Sequence, residues 1–241
     1  LHLKNLPGTT SMKLKYIDTR WNLKFFLSRN SPGILEVGVG AGTDFIQWCR
    51  AGAKVYGIDI TEEAVEHVKH RLDVYGLKAE EINVSDAENL PYPDNSFDLV
   101  YSWGVIHHSP DTTKAFQEII RVTKPGGIIK IMIYNKSAIQ SYLMWIKWGL
   151  FTAKPLRSIS DIMYHHQESI GTKVYTVSEV KEILTQFPVT IKDIGARISK
   201  RELQWEKSAL TRAVINILAF ILGHETTGFF LTMDLEKKDT M

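Results

Sequence analysis

The sequence predicts an α/β fold: a doubly wound, mostly parallel sheet with helices on both faces. Short apolar segments and amphipathic helical segments alternate from residue 34 to residue 134, which is typical of parallel βαβ units. The glycine-rich segment 38–42 lies between the first apolar segment and the first helical one. A strand, a tight glycine turn and a helix, in this order, form the nucleotide-binding unit of such sheets.

The helical segments show apolar residues at helical spacing, with polar residues between them. Thr61 and Asp111 are suitable N-caps, and Ser178 is available as a third. Gly76 ends the helix that Thr61 begins. The predicted helices are 12–29, one beginning at 45, 62–75, 112–122 and 176–187.

The strands are predicted from apolar or β-branched runs that end at turn residues. The last two runs alternate between apolar and polar residues, which suits strands with one exposed face. The predicted strands are 34–37, 54–59, 79–84, 97–102, 127–134, 189–196 and 229–235.

The composition indicates an ordinary globular protein. With 241 residues, 44% of them apolar, the chain has the length of one α/β domain with a cap. A net charge of +2 is too small to indicate nucleic acid or an anionic membrane as the main partner. The single cysteine, Cys49, excludes an internal disulfide and suits a reducing compartment, so we expect a cytoplasmic location. No secretory signal pattern opens the sequence, which begins with Leu rather than Met.

Two segments, 138–153 and 209–223, are unusually apolar. Lys147 interrupts the first and Arg212 the second, and both are shorter than the roughly 20 apolar residues that span a bilayer. We therefore expect no transmembrane helix. A surface that faces a lipid or an apolar substrate remains open.

Asp59 ends the second predicted strand, 19 residues beyond Gly40. A carboxylate at this place, beside a glycine turn, can accept hydrogen bonds from the two hydroxyls of a ribose. The alternative is a helix N-terminal residue favoured by the helix dipole, but Thr61 already supplies that cap. A dinucleotide fingerprint would place its third glycine at position 43, which is Thr43, whereas here the third glycine is Gly42.

Asp86 follows the third predicted strand, in the segment Ser85-Asp86-Ala87. Its carboxylate can accept a hydrogen bond from an adenine amino group, and an adjacent backbone amide can donate to a ring nitrogen. Both acids are thus expected at the carboxyl edge of the sheet, where doubly wound folds bind nucleotides.

Several strings of residues resemble one family. The pattern Glu36-x-Gly38-x-Gly40-x-Gly42 resembles motif I of the class I S-adenosylmethionine-dependent methyltransferases. The segment from Asp86 to Asp98 is similar to a recurrent string of their type 11 group, with Tyr92 as a mild departure at the aromatic position. The remaining similar strings are Phe97-Asp98-Leu99-Val100, His107-His108-Ser109-Pro110-Asp111 and Lys124-Pro125-Gly126-Gly127.

The resemblance implies a seven-stranded sheet of order 3-2-1-4-5-7-6 and S-adenosylmethionine as the cofactor, with S-adenosylhomocysteine as the product. It implies that Glu36 binds the methionine amino group. No Cys/His cluster has zinc spacing and no clear acidic set suits a catalytic magnesium ion, so we expect no metal. The cofactor-binding residues expected from the resemblance are Glu36, Gly38, Gly40, Gly42, Asp59, Ile60, Asp86, Ala87, Glu88, Ser102 and Trp103.

Methyl transfer from a sulfonium is an in-line displacement, for which alignment supplies most of the rate. A general base helps only where the acceptor must lose a proton. We regard His107, His165 and His166 as candidate bases, whereas the His-Ser-Pro-Asp context of His108 suits packing equally well. The sequence does not rank them.

We predict a single domain, 1–241, with a cofactor-binding core at 30–136 and substrate-cap insertions at 137–175 and 197–227. The segment Asp/Asn-Pro-Pro-Tyr of amino-group DNA methylases and the Pro-Cys nucleophile of cytosine methylases are both absent. We therefore expect a small-molecule acceptor, apolar or lipid-like, and no nucleic acid partner. Peripheral membrane contact and the oligomeric state stay open. Basic residues are available to meet an anionic headgroup or simply to face solvent: Lys192, Arg197, Lys200, Arg201, Lys207 and Arg212.

Two other functions remain as alternatives. A nicotinamide-dependent oxidoreductase also needs the glycine turn and Asp59, although Thr43 and the Asp86-Ala87 segment disfavour it. A non-catalytic module that binds S-adenosylmethionine is the other, although the intact glycine run and both acids argue against it.

Overall fold

The computed structural model describes residues 32–198, 209–223 and 226–239, and it contains one seven-stranded sheet of order β3-β2-β1-β4-β5-β7-β6. The strands β3, β2, β1, β4 and β5 are parallel neighbours, and β7 runs antiparallel between β5 and β6. This order and the mixed direction confirm the predicted fold class. The helix predicted at 12–29 lies outside the described residues.

The strands are β1 Gly33–Val37, β2 Lys54–Asp59, β3 Glu81–Val84, β4 Phe97–Trp103, β5 Thr123–Tyr134, β6 Val189–Gly195 and β7 Phe230–Lys237. The helices are α1 Phe45–Arg50, α2 Glu62–Tyr75, α3 Thr112–Val122, α4 Ile139–Trp145, α5 Ile159–His166, α6 Val177–Leu184 and α7 Ala209–Leu222. A π-helical turn, Ile146–Leu150, continues α4, and a 3-10 turn, Ile106–His108, follows β4.

The bounds of two elements, β5 and α6, differ most from the predicted ones. The strand β5 begins at Thr123, four residues earlier than expected, because Thr123 pairs with Phe97 before an irregularity shifts the register to Leu99 and Ile128. The helix α6 is capped by Thr176 and not by Ser178, and it ends at Leu184.

The sheet is apolar on both faces because helices cover both. Along β1, Ile34 packs on one side with α1 and α2, and Leu35 packs on the other with α3 and α6. This explains why β1 is a continuous apolar run, as expected of a buried parallel strand. By the same alternation Glu36 points to the α1 side of the sheet, beneath the glycine turn.

The cap is built on the carboxyl end of β5. The Asn135 side chain donates to the carbonyl oxygens of Thr226 and Gly228 (both 2.8 Å) and accepts from the Ser137 amide (3.0 Å). The chain returns to the sheet through a bridge between Asn135 and Tyr175. One buried amide therefore joins the start of the segment that holds α4 and α5 to the segment that follows α7. No helix in the described part of the chain is long and apolar enough to cross a membrane.

The start of α6 provides a test of local stability. Thr176 Oγ1 accepts from the Glu179 amide (3.1 Å), and the Glu179 carboxylate accepts from the Thr176 amide (2.7 Å). Such a reciprocal capping box satisfies two backbone donors. We expect Thr176→Ala to lower the free energy of unfolding by about 1 kcal/mol, measured by urea denaturation. Ser178→Ala is the matched control, and an equal or larger loss for this variant would contradict the assignment of the cap.

Candidate functional site

The glycine turn after β1 brings the backbone to the floor of a cleft. The Gly38 and Val39 amides both donate to the Ile58 carbonyl (2.8 and 3.0 Å), which holds the turn against β2. Gly38 has φ +82°, and a Cβ there would lie 2.2 Å from Val105 Cγ2. Gly40 has φ +47°, and a Cβ there would meet nothing within 4 Å. Gly38 is thus required by close packing, and the chain beside Gly40 is open to a ligand.

Asp59 holds three segments around this cleft. Its Oδ2 accepts from the Gly40 amide (2.9 Å), and its Oδ1 accepts from the Thr61 amide and hydroxyl (3.1 and 2.9 Å). Its carbonyl accepts from the Ser85 amide (2.8 Å). A carboxylate offers about four acceptor sites, so Asp59 retains capacity for a hydroxyl of a ligand. Asp59 thus supports the start of α2 and also lines the cleft, and its role at a ribose stays a prediction.

Asp86 lies directly after β3 in a short turn. Its Oδ1 accepts from the Glu88 amide (2.9 Å), which is an Asx-turn. The Glu88 carboxylate instead accepts from the Asp111 amide (2.7 Å) at the start of α3. Asp86 therefore remains at the cleft, whereas Glu88 stabilises the neighbouring loop.

The cleft has a volume of about 370 Å³ and lies at the carboxyl ends of β1, β2, β3 and β4. This is where the strand order reverses in a doubly wound sheet, between β1 and β4. Seven of the predicted residues line it: Gly38, Gly40, Asp59, Ile60, Asp86, Ala87 and Trp103. Glu36, Gly42, Glu88 and Ser102 lie outside its lining. The lining also includes Val37, Ile58, Ser85, Gly104, Val105, His108, Ser109 and Pro110.

Glu36 is buried beneath the glycine turn, on the side of α1. Burial raises the pKa of its carboxyl well above the usual range, and the nearby Asp44 carboxylate raises that pKa further, while the Trp48 indole partly offsets the rise. Its Oε2 accepts no hydrogen bond of ordinary geometry from the described residues. A buried carboxyl with a vacant acceptor is costly in a folded protein, which marks it as a candidate for a ligand cation.

His107 is fully buried and lies behind the cleft. Neither ring nitrogen has a hydrogen-bond partner among the described residues. Its ring centroid lies 4.1 Å from that of Tyr134 and 4.2 Å from that of His108. Burial, and then the charges of His108 and Lys173, lower the pKa of His107 well below its usual value. His107 is therefore a neutral packing group in this structure, and its role as a base stays a prediction.

His108, in contrast, lines the cleft and contacts the cap. Its Nδ1 lies 3.3 Å from Thr172 Oγ1, and its Nε2 lies 3.7 Å from Glu168 Oε2. Ser169 Oγ lies 3.4 Å from Nδ1 as well. Because the Thr172 hydroxyl donates to the carbonyls of Gln167 and Ser169, its oxygen can only accept from His108, and we assign the His108 proton to Nδ1 as the donor to Thr172. In the neutral ring, Nε2 then carries the lone pair that can take a proton.

Glu168 joins His108 to the end of β5. Its Oε1 accepts from the Tyr134 hydroxyl (2.7 Å), and its backbone has φ +50°, which is uncommon for a residue other than glycine. Burial lowers the pKa of His108, and the Glu168 carboxylate opposes that shift. Glu168 is thus placed to stabilise a protonated His108.

The other two predicted histidines belong to the cap and do not line the cleft. His165 Nδ1 lies 2.8 Å from the Asp161 carbonyl. The His166 ring stacks on Trp148, with centroids 4.3 Å apart and an interplanar angle of 2°, and its Nε2 lies 3.1 Å from an Arg157 nitrogen. These contacts account for both rings within the cap. Within the described ranges, no group of three potential metal ligands is present.

Sequence reasoning missed the part of this site that the cap contributes. The 3-10 turn after β4 receives a hydrogen bond from the Lys173 amide to the His107 carbonyl (3.0 Å), and the Lys173 ammonium donates to the carbonyls of Ser109 and Pro110. Contacts between residues more than 60 positions apart leave no local pattern. The sequence signal nearest to these cap contacts was the string around His108, after the end of β4.

A family model described as a methyltransferase domain matches residues 35–131. The chain is 32% identical over 233 residues to phosphoethanolamine N-methyltransferase 2 of Caenorhabditis elegans. The aligned region covers 93% of this chain and 52% of that protein. The chain is also 31% identical over 155 residues to a demethylmenaquinone methyltransferase of Bacillus mycoides, covering 58% of this chain and 64% of that protein.

A solved S-adenosylmethionine-dependent methyltransferase from Methanosarcina mazei has the same fold. It superposes with a TM-score of 0.61 over 91% of this chain and 99% of that chain, at 18% identity. The present chain spans about half the length of the Caenorhabditis elegans relative and less than two thirds of the Bacillus mycoides one. From the strand order, the glycine turn, the acids at the cleft and the family-model match, we conclude that residues 35–131 belong to a methyltransferase domain with the class I fold, for which S-adenosylmethionine is the cofactor.

Proposed function

We propose that this chain transfers a methyl group from S-adenosylmethionine to a small-molecule acceptor by in-line displacement. The observation that carries the proposal is the cleft itself, in which the open backbone at Gly40 and the acids Asp59 and Asp86 lie beside His108. When bound, S-adenosylmethionine supplies an electrophilic methyl group on a sulfonium. The protein's task is then to align donor and acceptor, for which effective molarity provides most of the rate.

The residues of the cleft fit this cofactor. Asp59 has acceptor capacity for a ribose hydroxyl, and Asp86, which lines the same cleft beside Ala87, could accept from an adenine amino group. The buried Glu36 carboxyl, with its vacant Oε2, is a suitable partner for the methionine ammonium, directly or through water. A cation at that place would favour the ionised carboxylate and offset the cost of burying it.

We assign the general base, for an acceptor that must lose a proton, to His108. Its ring lines the cleft, its Nε2 is the proton-accepting nitrogen of the assigned tautomer, and Glu168 lies 3.7 Å away to stabilise the charged ring. Burial lowers the pKa of His108 below the ordinary histidine value of about 6.5. At neutral pH the ring is therefore uncharged and able to accept a proton.

For the acceptor we propose an apolar or lipid-like small molecule held beneath the insertions 137–175 and 197–227. The Bacillus mycoides relative is named for a quinone, demethylmenaquinone, which supports an apolar acceptor. The name of the Caenorhabditis elegans relative supports a second candidate, a phosphorylated amine, because that match extends over 93% of this chain. The buried, free Cys49 supports the cytoplasm as the proposed compartment.

The cofactor site can be tested by calorimetric titration of S-adenosylhomocysteine. We expect Asp59→Ala to weaken binding by roughly 10- to 100-fold, since a hydrogen bond to a charged group contributes about 1.5–3 kcal/mol. Asp73→Ala, which removes a carboxylate from the far end of α2, is the matched control and should bind as the wild type does. Equal affinity in all three proteins would refute the Asp59 role, and no binding to the wild type would refute the proposed function.

The acceptor class can be tested by transfer of a labelled methyl group to a total lipid and metabolite extract. We expect the label in the organic phase after extraction, because the proposed acceptor is apolar. Phosphoethanolamine is offered separately as a pure compound. Label found only in the aqueous phase, together with methylation of phosphoethanolamine, would replace the lipid-like acceptor with the second candidate.

The base can be tested with the acceptor that this screen identifies. We expect His108→Ala to lower kcat by about 10²- to 10⁴-fold with unchanged affinity for S-adenosylhomocysteine, and His165→Ala to have little effect. In Glu168→Gln the carboxylate that opposes the lowered pKa of His108 is lost. The acid limb of the kcat profile should therefore move to lower pH. Full activity in His108→Ala for an acceptor that loses a proton would eliminate this base.

A further inference from the structure

The cap has a solvent-exposed surface that is unusually apolar. Phe151 is 80% exposed, Leu156 99% and Phe220 81%. We define the apolar cap surface by its exposed side chains: Tyr142, Leu143, Ile146, Leu150, Phe151, Leu156, Ile217, Phe220 and Ile221. Single exposed apolar residues are ordinary in proteins, but a cluster of this size marks a site of interaction.

These side chains belong to neighbouring elements. The π-helical turn continues α4 without a break, and Tyr142, Ile146 and Leu150 recur at every fourth position along it. The segment after it folds back, because the Lys154 amide donates to the Gly149 carbonyl (2.8 Å) and the Trp145 indole donates to the Arg157 carbonyl (2.9 Å). Phe151 and Leu156 therefore lie close to the end of the π-helical turn.

The helix α7 packs against α4 and adds a second apolar face. Its exposed positions include Ala213, Ile217, Phe220 and Ile221, which recur at helical spacing, while Ala219 is buried. An ordinary surface helix turns its apolar stripe to the core. In α7 an apolar stripe is exposed among the described side chains, which marks a candidate interaction surface.

The two segments that carry this surface, 137–160 and 209–223, contain positive charges and no acidic residue. Residues 137–160 contain Lys147, Lys154 and Arg157 and no acidic residue, and Arg212 is the single charged residue of α7. Arg157 is paired with Asp161. Lys147 and Lys154 form no salt bridge with any residue that the structure describes, and the Lys147 ammonium lies 5.0 Å from the centre of the Trp148 ring. Apolar side chains among unpaired lysines complement an anionic surface with an apolar interior.

We propose that the apolar cap surface docks onto an anionic membrane. Phe151, Leu156 and Phe220 enter the boundary between headgroups and acyl chains, and Lys147 and Lys154 lie at the lipid phosphates. Aromatic residues with a polar tip, such as Tyr142, favour this interfacial layer. The domain lies on the bilayer surface, and its docking does not depend on methyl transfer.

The test is flotation of the purified protein with vesicles of phosphatidylcholine, alone or with one third phosphatidylglycerol. We expect binding to the anionic vesicles that weakens as salt is raised. Lys147→Gln/Lys154→Gln should weaken the partition by roughly 30-fold, at about 1 kcal/mol per lysine. Phe151→Asp/Leu156→Asp should weaken it at least as much.

The matched control is Val74→Asp/Val84→Asp, which adds the same charge at two exposed apolar positions outside the cap. This control should bind as the wild type does, and circular dichroism verifies that each variant is folded. The absence of binding to anionic vesicles, or equal binding by Phe151→Asp/Leu156→Asp, would overturn the proposal. A dimer in light scattering that Phe151→Asp/Leu156→Asp dissociates, without vesicle binding, would show that a second copy covers this surface instead.

Discussion

The interaction on which the rest of the site depends is the hydrogen bond from the Gly40 amide to the Asp59 carboxylate. Together with the bonds to Thr61 and Ser85, it joins the glycine turn, the start of α2 and the segment after β3 through one residue. Each of these segments contributes to the wall of the cleft. These hydrogen bonds fix three loops relative to one another and to the strands that they follow. A fixed site of this kind is the condition for aligning two reactants.

Beneath this edge the sheet buries polar groups that the core itself does not satisfy. Glu36, Ser102 and His107 are fully or almost fully buried, and each has a side-chain atom with no hydrogen-bond partner among the described residues. Such groups are destabilising by about 1–3 kcal/mol each, and these three lie at the carboxyl ends of β1 and β4 and in the turn after β4. Stability is thus reduced at the place where the chemistry is proposed, as is common at functional sites.

The cap contributes to both proposed activities, methyl transfer at the cleft and docking to a membrane. One part of it, around Glu168 and Thr172, contacts His108 at the cleft, and another part presents Phe151 and Leu156 to the outside. Both parts are attached to the sheet through the buried Asn135. One insertion, 137–175, thus contacts the cleft residue His108 and also carries most of the proposed membrane-docking surface.

By itself the sequence determined the fold class and the approximate positions of the strands. It also determined that the glycine turn, Asp59 and Asp86 lie at the carboxyl edge of the sheet. These follow from local patterns: the period of apolar residues, the chemistry of turns, and the rule that parallel strands end at one edge of the sheet. The tertiary structure alone decided that Thr176 caps α6, that His108 rather than His107 lines the cleft, and that Glu168 and Thr172 contact it. The physical reason is that adjacent histidines share one local pattern, and their burial depends on elements more than 60 residues away. The outward apolar face of α7 was likewise decided by packing, since apolar periodicity identifies a stripe but not the side of the helix that the domain covers.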